Sequence, residues 1–284
     1  MKYFTKEWYE LCQRTGYHFE LRADKRAESF SEDFFKKSYA KAEAEHLAFE
    51  EAMCNVSFED IYPEVFDYAD LDVEDYTSEE LASLEAEYYE MRDAVKESFE
   101  ANTREYDAAS AKRTFCSIWK DKIELLEKGL PGEILDRVAD IRVLALDIAS
   151  AEVKRAITQF CKKNERTMKK TMSDYQKYYK KAFADGEPPF AEELNLHDCV
   201  VTSCHKSGRD IVVMVDNSGG FTNATKVIFR KAEVLCRECP LRGAWWLYNE
   251  LYKTDDGYEL HAMVQKKELV YFTVKCADIE VLYD

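Results

Sequence analysis

The hydrophobic period of this chain changes once, and that change limits the folds open to it. Upstream of Asp185-Gly186-Glu187-Pro188-Pro189 the apolar residues recur at steps of three and four; downstream they alternate. The first spacing places side chains on one face of a helix and the second on one face of a strand. A glycine followed so closely by two prolines cannot continue a helix, so the domain boundary is placed here. The expectation is an α+β chain: a helical N-terminal domain over residues 1–185, then a small antiparallel β-sandwich or open barrel over residues 190–284.

Within the helical half, Ile134, Val138, Ile141, Ala145 and Ile148 keep a helical step, and Val153, Ile157 and Phe160 resume it after a shift. This predicts a long helix from about residue 133 to 183, opened by Pro131. Unbroken, such a helix would extend roughly 75 Å, so a bend near Ser150 or an end near Asn164 is expected. Its far half is basic and carries Tyr175, Tyr178 and Tyr179. Earlier in the chain, Thr5 is read as the cap of a first helix closed by Gly16, and residues 17–21 as a loop or a brief extended piece. Ser31 starts a second helix, with Phe35, Tyr39, His46, Phe49 and Met53 in step, ending before Asn55. Residues 57–76 read as acidic and irregular. Thr77 and Glu80 form a capping box ahead of a seam from Leu81 through Phe99 to Tyr106 that predicts packing against other helices. Phe115, Trp119, Ile123 and Leu126 mark a further helix over 110–128.

In the second half, Val200 and Thr202, then Ile211, Val213 and Val215, read as paired strands turning at Lys206-Ser207-Gly208. Residues 225–229 and 232–235 follow. Residues 246–251 and 258–264 flank Thr254-Asp255-Asp256-Gly257, a hairpin signal because glycine supplies the positive φ of a tight turn. Val270, Phe272, Val274 and Cys276, then Ile279, Val281 and Tyr283, complete the set.

The formal net charge is −16, and it is unevenly placed: residues 59–107 hold 18 acidic and 3 basic side chains, residues 108–186 hold 11 and 17. An overall negative field makes nucleic acid a disfavoured partner, even with the basic run over 162–181. That run is read as a partner for acidic helices of the same chain. Nine scattered cysteines and a charged opening, with no run of 18 apolar residues, point to reduced thiols in the cytoplasm and no membrane span.

Two stretches carry a family resemblance. Met1-Lys2-Tyr3-Phe4-Thr5-Lys6-Glu7-Trp8-Tyr9 resembles the start of an uncharacterised family of low-GC Gram-positive bacteria, a domain of unknown function. Leu196-His197-Asp198, Trp246-Leu247-Tyr248-Asn249-Glu250 and Asp256-Gly257-Tyr258-Glu259-Leu260 resemble its β region. The resemblance implies a bacterial cytosolic origin; it transfers no activity, cofactor or catalytic residue to this chain and leaves the function open.

The sharpest chemical pattern is Cys236-Arg237-Glu238-Cys239. A Cys-x-x-Cys turn lets two thiolates hold one zinc, and Cys199 and Cys204, with His197 or His205 nearby, could complete a tetrahedral set. A redox role lacks the strand-to-helix context such a pair needs. Glu43 and His46 have the spacing of a di-iron helix, but no second such pair exists, and His46 falls on the apolar seam. No Gly-x-Ser-x-Gly elbow and no phosphate loop occur. Trp245, Trp246, Tyr248 and Tyr252 crowd one strand and could stack a sugar, a base or a partner peptide. These readings favour a non-catalytic, cytosolic protein-interaction role of immunity or accessory type. The alternative is a zinc-binding module or metal-dependent enzyme built on Cys236 and Cys239.

Overall fold

The computed structural model describes residues 1–68 and 76–283. The chain divides into two compact units, one formed by Met1–Phe19 with Ala156–Asp284 and the other by Glu20–Arg155. The change of period near residue 186 lies inside the first of these. Charge divides along the same line: the first unit holds 22 basic and 21 acidic residues, the second 18 and 35. The acidity of the protein therefore belongs to the second unit.

The second unit is helical. Helices α2 (Glu32–Cys54) and α5 (Ala108–Gly129) pack through aromatic rings, with Phe35 stacked on Trp119 at 5.7 Å and Tyr39 edge-on to Phe115 at 5.1 Å. Ser31 caps α2 as its spacing predicts. His46 lies 5.5 Å from Phe115 on this aromatic seam, half-buried, and its buried Nε2 has no hydrogen-bond partner among the described residues. Residues 57–61 are more regular than their composition implies, while 62–68 are irregular as expected. Ser57 and Asp60 make a capping box on α3 (Phe58–Ile61), a single helical turn; the rest of that acidic reading, residues 69–75, lies outside the described residues. Thr77 and Glu80 make the expected box on α4 (Ser78–Asn102). The seam of α4 is covered by this preceding segment, through Phe58 against Phe99 and Phe66 against Tyr88, and none of its residues is fully buried.

The long helix from residue 133 does not exist as one piece. Residues 132–149 instead form the single-turn helices α6 (Gly132–Leu135) and α7 (Ile141–Leu144), then a short extended piece. Asp140 accepts the Arg142 N–H at 3.0 Å and starts α7 afresh, and Asp147 takes a left-handed φ of 61°. Strand β1 (Arg22–Ala23) then pairs in parallel with β2 (Ile148–Ala149), turning the chain out of any helix. Of the residues in the predicted stripe over 134–148 only Ile134 and Ala145 are buried; the burial falls instead on the consecutive run Val143–Leu146, which no single helical face could bury together. The uninterrupted helix is α8 (Ala151–Ala182), capped by the Ser150 hydroxyl, which accepts the Val153 N–H at 3.2 Å. It runs past Asn164 without ending there.

The first unit carries α1 (Lys6–Cys12), the rest of α8 and eight strands. Thr5 caps α1 through the Trp8 N–H, but the helix ends on a right-handed Gln13, ahead of Gly16. The strands are β3 (Val200–Ser207), β4 (Asp210–Asp216), β5 (Lys226–Arg230), β6 (Glu233–Arg237), β7 (Trp245–Thr254), β8 (Gly257–Gln265), β9 (Leu269–Cys276) and β10 (Asp278–Leu282). They form one open antiparallel sheet in the order β10-β5-β4-β3-β7-β8-β9-β6. Its two four-stranded arms meet at a single register pair, Val200 with Trp245. The arms curl towards each other, and Phe229 on β5 meets Phe272 on β9 with ring centres 6.5 Å apart. Trp246, Leu260 and Val227 are wholly buried with them.

Candidate functional site

Strand β7 parts from β3 just after Trp245, which leaves its upper edge without a strand partner. Unpaired backbone N–H groups at such an edge need an acceptor. Helix α8 supplies one from a side chain: the Leu251 N–H donates to the Tyr175 hydroxyl at 2.8 Å. Two residues on, the Lys253 N–H faces the Tyr178 hydroxyl. Residues three apart on a helix share a face, and alternate residues of a strand share an edge, so Tyr175 and Tyr178 match the two groups. Burial, together with the nearby Glu250 carboxylate, pushes the Tyr175 phenol far up, so this hydroxyl stays protonated.

On β7, Glu250 is fully buried, and its carboxylate is the fastening point of the N-terminal segment. One oxygen accepts the N–H groups of Tyr3 (2.7 Å) and Phe4 (2.5 Å), and the other accepts that of Lys2 (2.8 Å) and the Tyr252 hydroxyl. A buried carboxylate is tolerated only when its lone pairs are met in this way. Burial and this carboxylate push the Tyr252 phenol far up. Phe4 and Trp8, held by the anchored segment, pack on Tyr248 at 5.8 and 5.0 Å.

These fastenings frame a cleft of about 470 Å³, within the usual range of small-molecule sites, roughly 300–1,000 Å³. Tyr175, Tyr179 and Tyr248 supply aromatic faces, and Leu194, Leu247 and Leu251 supply aliphatic ones. Three primary amides, Gln176, Asn195 and Asn249, line it, together with Lys180, Glu187 and His197. Asn249 is held in place by the Trp246 indole N–H, which donates to its Oδ1 at 3.0 Å. Burial raises the Tyr179 and Tyr248 phenols, aided by Glu187 and by Cys12 respectively, so both remain hydrogen-bond donors. His197 Nδ1 lies 3.0 Å from the Asp198 carboxylate without a hydrogen bond between them, and its ring packs edge-on to Tyr248. Among the described residues, no serine, threonine or cysteine lines this cleft.

The aromatic strand residues singled out above do not form one stacking surface. A bulge between Trp246 and Tyr248 breaks the alternation. Trp245 stands 53% exposed, while Trp246 is wholly in the core. Tyr252 is taken up by Glu250 and by the Tyr178 ring at 5.1 Å, so Tyr248 alone of the four reaches the cleft. The proposed zinc thiols are not gathered either. Cys199 is buried beneath the Gly220 backbone, where an added Cβ would come within 2.4 Å of its sulfur. Cys204 lies on β3 opposite Val213, whereas Cys236 lies on β6, at the far edge of the sheet, opposite Thr273. Cys239 Sγ points to the Pro240 carbonyl at 3.4 Å. All nine cysteines are free, and among the described residues no three His, Cys, Asp or Glu side chains are placed to hold an ion. Sequence reasoning missed Glu250, Asn249 and the tyrosine edge contacts. A carboxylate set between Leu247-Tyr248 and Leu251-Tyr252 on a predicted strand was the available signal for the first.

Residues 75–274 match a family described as a protein of unknown function (DUF4085). No curated protein and no solved structure matches the chain. The matched span takes in the cleft and Glu250 but not the N-terminal segment that Glu250 holds. No described helix is long and apolar enough to cross a membrane.

Proposed function

The chain belongs to this family of unknown function, and on that premise we propose that it works by binding rather than by covalent chemistry. The ligand is a small, neutral, hydroxyl-rich molecule with one flat apolar face, of the sugar class. The cleft carries this reading: tyrosine rings offer stacking faces, three amides offer paired donors and acceptors, and Lys180 and Glu187 balance in charge. Among the described residues the lining holds no serine, threonine or cysteine for His197 to activate, which favours binding over acyl-transfer chemistry. The test is a thermal-shift screen of neutral monosaccharides, disaccharides and nucleosides against the wild type and Ala191→Trp, which fills the cleft from its half-buried wall. A sugar that raises the Tm of the wild type but not of the variant supports the reading. No stabilising compound, or equal shifts in both proteins, refutes it.

A second reading is capture of another protein in the cytoplasm. Its support is the acidic unit, where Phe49 and Met53 stand 60% and 53% exposed one turn apart on α2. Isolated exposed apolar residues are ordinary, but neighbouring ones at a groove mark an interaction site.

A further inference from the structure

Within the acidic unit, the end of α2 and the end of α4 enclose a groove of about 240 Å³ whose apolar lining is Met53, Val56 and Phe99. Met53 is 53% exposed, and Phe49 extends the apolar strip one helical turn back. Arg104 lies at the groove but is already paired, its guanidinium 2.8 Å from the Glu50 carboxylate. Acidic groups crowd the neighbourhood: the Tyr106 phenol is raised by burial and by Glu51, Cys54, Glu50 and Asp107. The surrounding unit carries 35 acidic against 18 basic residues.

An apolar groove on a unit of net negative charge selects a partner with both features reversed. We propose that this groove docks a cationic amphipathic helix of another protein, its apolar side chains seated between Met53 and Phe99 and its lysines or arginines facing the acidic rim. Helix-in-groove recognition works this way: apolar anchors at steps of three and four give affinity, and flanking charge sets orientation and on-rate. The proposal rests on the partner-capture reading and is independent of the cleft ligand. Attraction by charge alone would draw any cationic chain to this unit, so the groove must contribute selectivity for amphipathic order.

The experiment uses the full chain and two labelled peptides of identical Lys and Leu composition, one amphipathic as a helix and one scrambled. Fluorescence anisotropy is read at low and at moderate salt. The amphipathic peptide is expected to bind at least about tenfold tighter than the scrambled one. The ratio persists as salt weakens both, because screening acts on the shared charge term. Met53→Ser, at an exposed position that leaves the fold intact by circular dichroism, is expected to bring the ratio close to one while leaving the scrambled peptide's affinity unchanged. Equal binding of the two peptides by the wild type overturns the proposal. So does a ratio that survives Met53→Ser, which leaves partner capture in place but moves it to another surface. Self-association of the unliganded chain that Met53→Ser abolishes, seen by sedimentation, also overturns it by making a second copy the occupant.

Discussion

Replacing Glu250 by alanine removes the acceptor of four hydrogen bonds at once, from the N–H groups of Lys2, Tyr3 and Phe4 and the hydroxyl of Tyr252. Each bond to a charged group is worth about 1.5–3 kcal/mol, and a buried donor left alone costs about 1–3 kcal/mol. The four do not add. The Lys2 and Tyr3 amides lie only part-buried and regain water when the segment lifts, whereas the Phe4 amide is buried and regains it only if Phe4 leaves Trp8 and Tyr248. The net loss is therefore about 3–5 kcal/mol, as for breaking other buried charged networks. Glu250→Gln keeps one oxygen for Tyr3 and Phe4 but turns an NH₂ towards the Lys2 N–H, and is expected to cost about 1–3 kcal/mol. Tyr252→Phe removes one donor only and is expected to cost about 1–2 kcal/mol. Because a chain of two compact units need not unfold in one step, the assay is urea unfolding read by residue-resolved hydrogen exchange, not by one global probe. Amides 2–4 should lose protection in Glu250→Ala before the strands do. A loss below about 1 kcal/mol, or unchanged exchange at residues 2–4, would falsify the anchoring role.

Gly257 has φ 144°, and an added Cβ would lie 2.2 Å from the Cys276 carbonyl oxygen; Gly257→Ala is expected to cost about 2–4 kcal/mol in chemical denaturation, and a cost near zero would show that the β7–β8 turn can relax. Burial pushes the Cys276 thiol up to about 12 and the Cys12 thiol up to about 11, so per-residue labelling with a thiol reagent at about pH 8 should modify the half-buried Cys236 and Cys239 before the buried Cys276; early labelling of Cys276 would contradict its burial. Hydrogen bonds from the Arg26 side chain and backbone hold the Asp24 carboxyl at about 2. A depressed folded-state value stabilises above the unfolded value of about 3.9, and that contribution is lost as pH falls through the folded one. Asp24→Asn should therefore flatten the acid limb between about pH 4 and 2, while a carboxyl titration midpoint near 4 by NMR would rule this out.

Much of the fold was legible because it is local. Thr5, Ser31 and Thr77 cap helices through bonds that close within three residues, and Asp255-Asp256-Gly257 specifies its hairpin through one backbone angle. The α+β class followed from the change of period, and the strands β3 to β10 from their alternation. The site was hardly legible, because its parts are joined across the chain. Glu250 meets residues nearly the full length of the sequence away, and Tyr175 meets β7 only because β3 leaves that edge free.

Alternation and capping by themselves determined where the helical half gives way to strands and where several helices start, since both are enforced by neighbours a few residues apart. Only the tertiary structure decided that β6 crosses to the far edge, that the helix expected from residue 133 starts at Ala151, and that the bulge after Trp246 sends one tryptophan inward and leaves the other in solvent. Those outcomes depend on which distant segment supplies the hydrogen-bond partner or the matching surface, a choice made by the packing of the whole unit and written in no single stretch.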